Sequence, residues 1–286
     1  MLSTSHKIRV ARLISAFLLF ARRTLGLPST VTVRRGGINW HLDLSEGVDL
    51  SIYVLGGFEV RTLRRYRELV KEGDIVLDIG ANVGAHTLPL AKLVGTSGKV
   101  FAFEPTAYAF KKLTRNIELN EDLSSRIVAR QMLLVGSEMA AIPNAIYSSW
   151  PLNAADELHE DHHGRLMETT GASASTLDAL LKSAGIKRID FIKIDVDGNE
   201  LSVLRGARST CKTFVPRLMI ELAPYVHADR PEEFDDLIRE ITDLGYDLED
   251  VATGRVFPPE AAELRKIIPE AGSLNVLAFS RASARR

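Results

Sequence analysis

The residues of this chain best suited to chemistry are two carboxylates and the glycine-rich loop between them. Ile75-Val-Leu-Asp-Ile-Gly-Ala-Asn-Val-Gly-Ala85 reads as a buried strand that runs into a turn and then opens a helix. Gly80 and Gly84 let the backbone turn sharply and come close to a ligand without a Cβ clash. Glu104 lies 20 residues beyond Gly84, at the end of the next apolar run. A carboxylate at that spacing is placed to accept hydrogen bonds from both hydroxyls of a ribose. The loop is not G-x-G-x-x-G, because Asp78 stands at the strand end. A pyrophosphate prefers bare backbone N–H groups at a helix N-terminus and no nearby carboxylate. Asp78, with Asn82 following it in the loop, suits a ligand carrying positive charge, such as an amino group beside a sulfonium. The plainer alternative is that both merely cap the turn and the helix.

Positioning these groups requires a sheet. Apolar β-type runs at Ile75–Ile79, Val100–Phe103, Ile127–Leu133, Phe191–Ile194 and Leu218–Leu222 alternate with helical stretches near Ala85–Val94, Tyr108–Asn120, Thr176–Ala184, Glu200–Arg205 and Glu232–Leu244. Short, nearly all-apolar strands separated by helices predict a parallel sheet covered on both faces, and Leu274–Phe279 predicts a closing strand. Ahead of this core, residues 27–70 predict a β-hairpin from Val31 to Leu44 and a helix near Glu59–Val70. The core itself is expected over residues 71–286, with an irregular insert at about 136–174 that contains Trp150-Pro151, His159, His162 and His163. Those histidines read either as a metal or base cluster or as solvated loop.

Composition narrows the class. One cysteine excludes an internal disulfide and a clustered-thiolate zinc site, and 36 Lys+Arg against 37 Asp+Glu exclude a globally basic nucleic-acid coat. No nucleic-acid partner is expected. No apolar run reaches the roughly 18–20 residues that span a bilayer, so a cytoplasmic chain is expected. Residues 1–26 are the local exception. Lys7, Arg9, Arg12, Arg22 and Arg23 flank Leu13–Ala21, and Val10, Leu13, Ile14, Phe17 and Leu18 recur at helical spacing. Residues 7–23 read as a membrane-surface helix, a helix packed on protein, or a signal segment without a cleavage site.

Asp78-Ile-Gly-Ala-Asn-Val-Gly84, Phe103-Glu-Pro105 and Asn116-Ile-Glu-Leu-Asn120 together resemble the FkbM-type S-adenosylmethionine-dependent methyltransferases. Ser175-Thr-Leu-Asp-Ala-Leu-Leu181 and Ile189-Asp-Phe-Ile-Lys-Ile-Asp-Val-Asp-Gly-Asn-Glu200 look like that family's second signature, extended by Val203–Ala207 and Met219–Leu222. Asp197 stands where the family commonly has Glu, and Leu134-Val-Gly-Ser137 replaces a more usual Ala-Leu-Gly-Asp. The resemblance implies a Rossmann-like class I α/β fold: a seven-stranded, mostly parallel sheet with helices on both faces and an antiparallel last strand. It also implies methyl transfer from S-adenosylmethionine, often to a hydroxyl of a sugar, glycan or natural product. Asp78, Gly80, Asn82 and Gly84 would line the methionine and ribose end, and Glu104 would hold the ribose diol.

Methyl transfer to a hydroxyl needs a group that takes its proton as the new bond forms. Alternation along Phe191–Asp195 puts Phe191, Lys193 and Asp195 on one face, and Asp195 is the first choice for that base. His227, just past Leu218–Leu222, is the second. Alternatively Asp195 braces its loop or touches only the cofactor, or Asp195 and Glu221 share Mg²⁺. His86 follows the glycine loop and is a further candidate for cofactor contact; Pro224-Tyr225 could add an aromatic wall. Two rival functions stay open at this stage: a nicotinamide-dependent oxidoreductase, and a non-catalytic binding module that keeps the fold.

Overall fold

The computed structural model describes residues 4–148, 151–152 and 164–281. The chain begins with helix α1 (Thr4–Thr24) and the hairpin β1 (Thr30–Arg35) and β2 (Ile38–Asp43), then α2 (Gly47–Leu55) and α3 (Val60–Leu69). The first half of the core follows as β3 (Ile75–Ile79), α4 (Thr87–Leu93), β4 (Lys99–Phe103), α5 (Ala107–Glu118), α6 (Glu121–Ser124) and β5 (Ile127–Arg130). An excursion holds β6 (Met132–Leu134), β7 (Ala145–Ser148), β8 (Arg165–Glu168) and β9 (Ser173–Ser175). Next come α7 (Leu177–Ser183), β10 (Phe191–Ile194), α8 (Glu200–Arg205), α9 (Arg208–Phe214) and β11 (Arg217–Leu222). The chain closes with α10 (Pro231–Asp243), β12 (Tyr246–Asp250), β13 (Val256–Phe257), α11 (Ala261–Ile267) and β14 (Leu274–Ser280).

The main sheet has the order β13-β12-β14-β11-β10-β3-β4-β5. β5, β4, β3, β10 and β11 are mutually parallel, and β14 inserts antiparallel between β11 and β12. The expected seven strands are therefore present. The eighth, β13, is a two-residue edge addition that pairs antiparallel with β12. It exists because the turn after β12 is tight: Asp250 accepts from Ala252 N–H and Thr253 Oγ1, and Gly254 sits at φ 73. The strand expected over Ile127–Leu133 is also divided. β5 stays in the main sheet while β6 leaves to pair parallel with β9. Gln131 marks the break, its side-chain amide donating to Pro105 O and Thr170 O.

Strand alternation sorts the core into two halves. Leu77, Ile79, Ile192, Ile194, Leu218 and Ile220 pack on one face with Leu204 and with Leu237 and Ile241 of α10. Val76, Val100, Phe191 and Met219 pack on the other with Tyr66, Leu88 and Leu113. Trp40 and Leu42 of the hairpin belong to this second half, so β2 adds to the core rather than lying apart from it. Asn116 of α5 ties the two together. Its Oδ1 accepts from His41 N–H at 2.7 Å and its Nδ2 donates to Val83 O at 2.9 Å, linking the hairpin to the glycine loop. Asn120 repeats the device with Asn39 in both directions. Among the described residues no helix is long and apolar enough to cross a membrane.

Candidate active site

Parallel strands present their carboxyl ends along one rim, and the crevice beyond that rim is where open α/β sheets bind ligands. Here β3 ends in the loop 80–84. Gly80 adopts φ 82, and both its N–H and that of Ala81 donate to Phe103 O, drawing the loop across the end of β4. Asn82 takes φ 48, left-handed for a side-chain-bearing residue, and its N–H donates to Glu104 Oε2 at 2.9 Å. The other oxygen, Oε1, accepts from Thr106 N–H and Thr106 Oγ1. A carboxylate oxygen has two acceptor sites, so Oε2 retains one for a ligand hydroxyl. Burial pushes the Glu104 carboxyl above its ordinary value, and the Thr106 and Asn82 bonds oppose that shift.

Asp78 lies beneath this loop rather than along its open edge. It is fully buried, its Oδ2 accepts from Thr87 Oγ1 at 2.6 Å, and its Oδ1 has no hydrogen-bond partner. Asp78 does not cap α4, whose N-cap is His86; its bond goes to the side chain of Thr87, the first residue of the helix. Lys193, its neighbour across the β3–β10 ladder, stands 3.7 Å from Asp78 Oδ1 and 3.0 Å from Asp195 Oδ2. Burial works against the Lys193 charge, but Asp195 and Asp78 outweigh it and hold the ammonium above its usual range. The shared face expected for Lys193 and Asp195 is present.

Asp195 and Glu221 stand close together and are pushed in opposite directions. Burial disfavours ionisation of Asp195, yet Lys193 and a hydrogen bond from Glu221 hold it below the usual carboxylate range. Burial and the Asp195 charge push Glu221 well above its own. Asp197 joins the pair, all three offering oxygens within 4.8 Å of one another. Glu200 shapes their loop by accepting from Val196 N–H and Gly198 N–H, and burial raises its carboxyl to about 7.

Glu59 is the residue of this cluster that sequence reading missed. It precedes α3, adopts φ 47, and its carboxylate accepts from Asn275 Nδ2 at 2.9 Å. Asn275 pairs with Glu221 in the β11–β14 ladder, which brings Glu59 to the same rim. Burial raises Glu59, and the Asp195 charge adds to it. The available signal was an acidic residue placed just ahead of a helix that carries Arg61, Arg64, Arg65 and Arg67. Glu59, Asn82 and Asp197 are three of the five non-glycine residues with positive φ among the described residues. Backbone strain of this kind clusters where ligands are held.

The histidines fall elsewhere. His86 is buried between Phe58 and Tyr66, its Nδ1 3.0 Å from Tyr66 Oη and its Nε2 3.8 Å from Glu59; burial lowers it to about 3, so it is neutral. His227 is buried against α10, its Nδ1 3.4 Å from Glu233, with Phe234 beside it. Burial lowers its pKa, a shift that Glu233 opposes. Tyr225, two residues earlier in the same turn, is raised by burial and then by the Glu221 charge. His159, His162, His163 and Trp150 lie outside the described residues.

The methyltransferase FkbM domain model matches residues 78–248, from the buried aspartate of the loop to the middle of β12. The chain belongs to the FkbM methyltransferase family. It is similar to methyltransferase sdnD of Sordaria araneosa, 24% identical over 74% of this chain and 96% of that one. It is also similar to the hexuronic acid methyltransferase AglP of Haloferax volcanii, 28% identical over 69% of this chain and 77% of its relative. Among solved structures, the methyltransferase FkbM of Methylobacillus flagellatus aligns with 92% of this chain and 70% of its own at 16% identity and a TM-score of 0.45. The protein is an S-adenosylmethionine-dependent methyltransferase, and of the readings open on sequence the nicotinamide-dependent one is set aside. The site suits that donor. The rim carries the carboxylates of Asp195, Asp197 and Glu221, and Glu104 Oε2 keeps an open acceptor position.

Proposed function

We propose that this methyltransferase methylates a hydroxyl of a sugar or small-molecule acceptor, with Asp78, Gly80, Asn82, Gly84 and Glu104 forming the donor site and Asp195 receiving the hydroxyl proton. When bound, S-adenosylmethionine supplies a methyl group on a cationic sulfur. The chain's part is to orient the acceptor and take its proton. Asp195, held ionised by Lys193, is a weak base toward a free alcohol. That suffices late in transfer, because the alcohol proton becomes strongly acidic as its oxygen bonds carbon. Glu221, pushed up by burial and by the Asp195 charge, donates to the Asp195 carboxylate in this reading. The single supporting observation is the Lys193–Asp195 pair, 3.0 Å apart at the end of β10, where the Asp195 carbonyl lies against Gly80 of the glycine loop. The sugar-acid acceptor named for the Haloferax relative supports sugar hydroxyls as the class to test. His227, against Glu233 and Phe234, serves in this reading to brace the turn behind Gly198.

A second reading has its own support. Asp195, Asp197 and Glu221 are hard oxygen ligands close enough together to hold Mg²⁺ and, through it, an acceptor diol. One experiment separates the two. Turnover is measured with neutral and uronic acid glycosides as acceptors, with and without a chelator. For the base, Asp195→Asn loses about 10²–10⁴-fold in turnover at unchanged donor affinity, while Glu221→Gln and chelation leave most of it. For the metal, both variants and the chelator abolish turnover. Full activity of Asp195→Asn overturns both.

A further inference from the structure

We infer that α1 docks the protein onto an anionic membrane surface, with the methyl-donor rim held beside the bilayer. The helix has two apolar stripes, and the fold uses one. Ala11, Ile14, Ser15 and Leu18 turn inward, with Ser15 fully buried and its hydroxyl donating to Leu44 O at 2.8 Å. Arg22 fastens the far end by donating to Pro28 O and Thr30 O. The second stripe faces away from the body: Leu13 is 72% exposed, Phe17 71% and Phe20 68%, and Leu25 continues it at 73%. A contiguous exposed face of large apolar side chains is costly in water and marks a contact surface.

Charge identifies what covers it. Arg9, Arg12 and Arg23 are exposed and border this stripe. The chain has no acidic residue before Asp43, although its 36 basic and 37 acidic residues balance as a whole. A helix with bulky apolar residues on one face and arginines along its border lies in the plane of an anionic bilayer, apolar side down. Each arginine near such a surface adds attraction that salt screens. A second copy of this chain would bring the same arginines face to face, which charge disfavours.

The position of α1 gives the docking a consequence. β2 runs along α5 toward its start, with His41 bonded to Asn116 and Tyr108 Oη reaching Glu46 at 3.4 Å. Tyr108 lies in the first turn of α5, four residues beyond Glu104. Leu44, on which Ser15 rests, lies two residues before Glu46 and so on the side of the molecule where α5 begins. Docking through α1 favours an acceptor carried at the membrane surface.

The test is flotation of the full chain with vesicles of phosphatidylcholine alone or with phosphatidylglycerol. The chain is expected to float with the anionic vesicles only and to be released by salt. Arg9→Gln/Arg12→Gln should lower partition about thirtyfold, and Leu13→Gln/Phe17→Gln/Phe20→Gln should abolish it. All these side chains are exposed, so both variants should bind S-adenosylmethionine as the parent does, which separates failure of docking from failure of the donor site. The inference is overturned if the parent stays out of anionic vesicles at low salt, or if the apolar variant floats unchanged. It is also overturned if the parent is a dimer that the apolar variant turns into a monomer.

Discussion

The carbonyl oxygen of Asp195 occupies the space that a side chain on Gly80 would need: a Cβ built there would lie 1.8 Å from it. The glycine loop and the end of β10 thus touch backbone to backbone, and donor site and candidate base are set by one contact. Gly80 also holds φ 82, unfavourable for any other L-residue. Gly80→Ala should cost about 2–4 kcal/mol from overpacking and backbone strain together. Thermal unfolding should show that loss, and the variant should bind donor poorly even at temperatures where it stays folded. Parent-like melting would mean the loop can retreat from β10.

Lys193 compensates the fully buried Asp78 and the partly buried Asp195 at once. Replacing it with Met leaves Asp78 and Asp195 without their counter-charge, and breaking a buried pair of this kind costs about 3–5 kcal/mol. Denaturant unfolding at neutral pH measures the cost. Asp78→Asn on the Lys193→Met background should recover part of it, since one of the stranded charges is then gone. Absence of any recovery would show that Lys193 acts by packing alone.

Glu200 makes stability depend on pH. Its carboxyl is raised from 4.5 to about 7, so the folded chain holds a proton that the unfolded chain releases. The stabilisation is complete below pH 4.5 and is lost as pH rises through about 7. His86, lowered from 6.5 to about 3, works in the opposite sense over part of that range. The useful quantity is therefore the difference between parent and Glu200→Gln. Glutamine retains an acceptor for Val196 N–H and Gly198 N–H, so the variant should gain on the parent by up to about 3 kcal/mol between pH 5 and pH 8. A constant difference across that range would place the Glu200 proton elsewhere.

Local pattern carried most of the fold. The core strands and helices are legible because each is short, apolar and bounded by turn residues, and Asp78, Glu104, Lys193 and Asp195 follow from their places at strand ends. Long-range pairing was not legible. Nothing local tells Ile127–Leu133 to divide at Gln131, since β6 leaves for a partner 41 residues downstream of Met132. Glu59 is 136 residues from Asp195, and only the β11–β14 ladder with Asn275 brings them to one rim. Asn116 was visible as part of a motif, but its physical task, joining Val83 to His41, needs the packed hairpin to be seen. α2, α6, α9 and α11 were missed because each is short, and α2 is apolar on most of its turns.

The central claim is a donor site closed by Glu104, and calorimetric titration tests it most directly. S-adenosylmethionine is titrated into the parent chain and into Glu104→Gln, with NAD titrated as a control. Glutamine retains an oxygen for Asn82 N–H or Thr106 but loses the charge, which should cost about 1.5–3 kcal/mol, or roughly ten- to a hundredfold in Kd. The parent should bind S-adenosylmethionine and not NAD, and the variant should bind it weakly at a temperature where its own melting curve shows it folded. Equal affinity in parent and variant, or preference for NAD, would contradict the account.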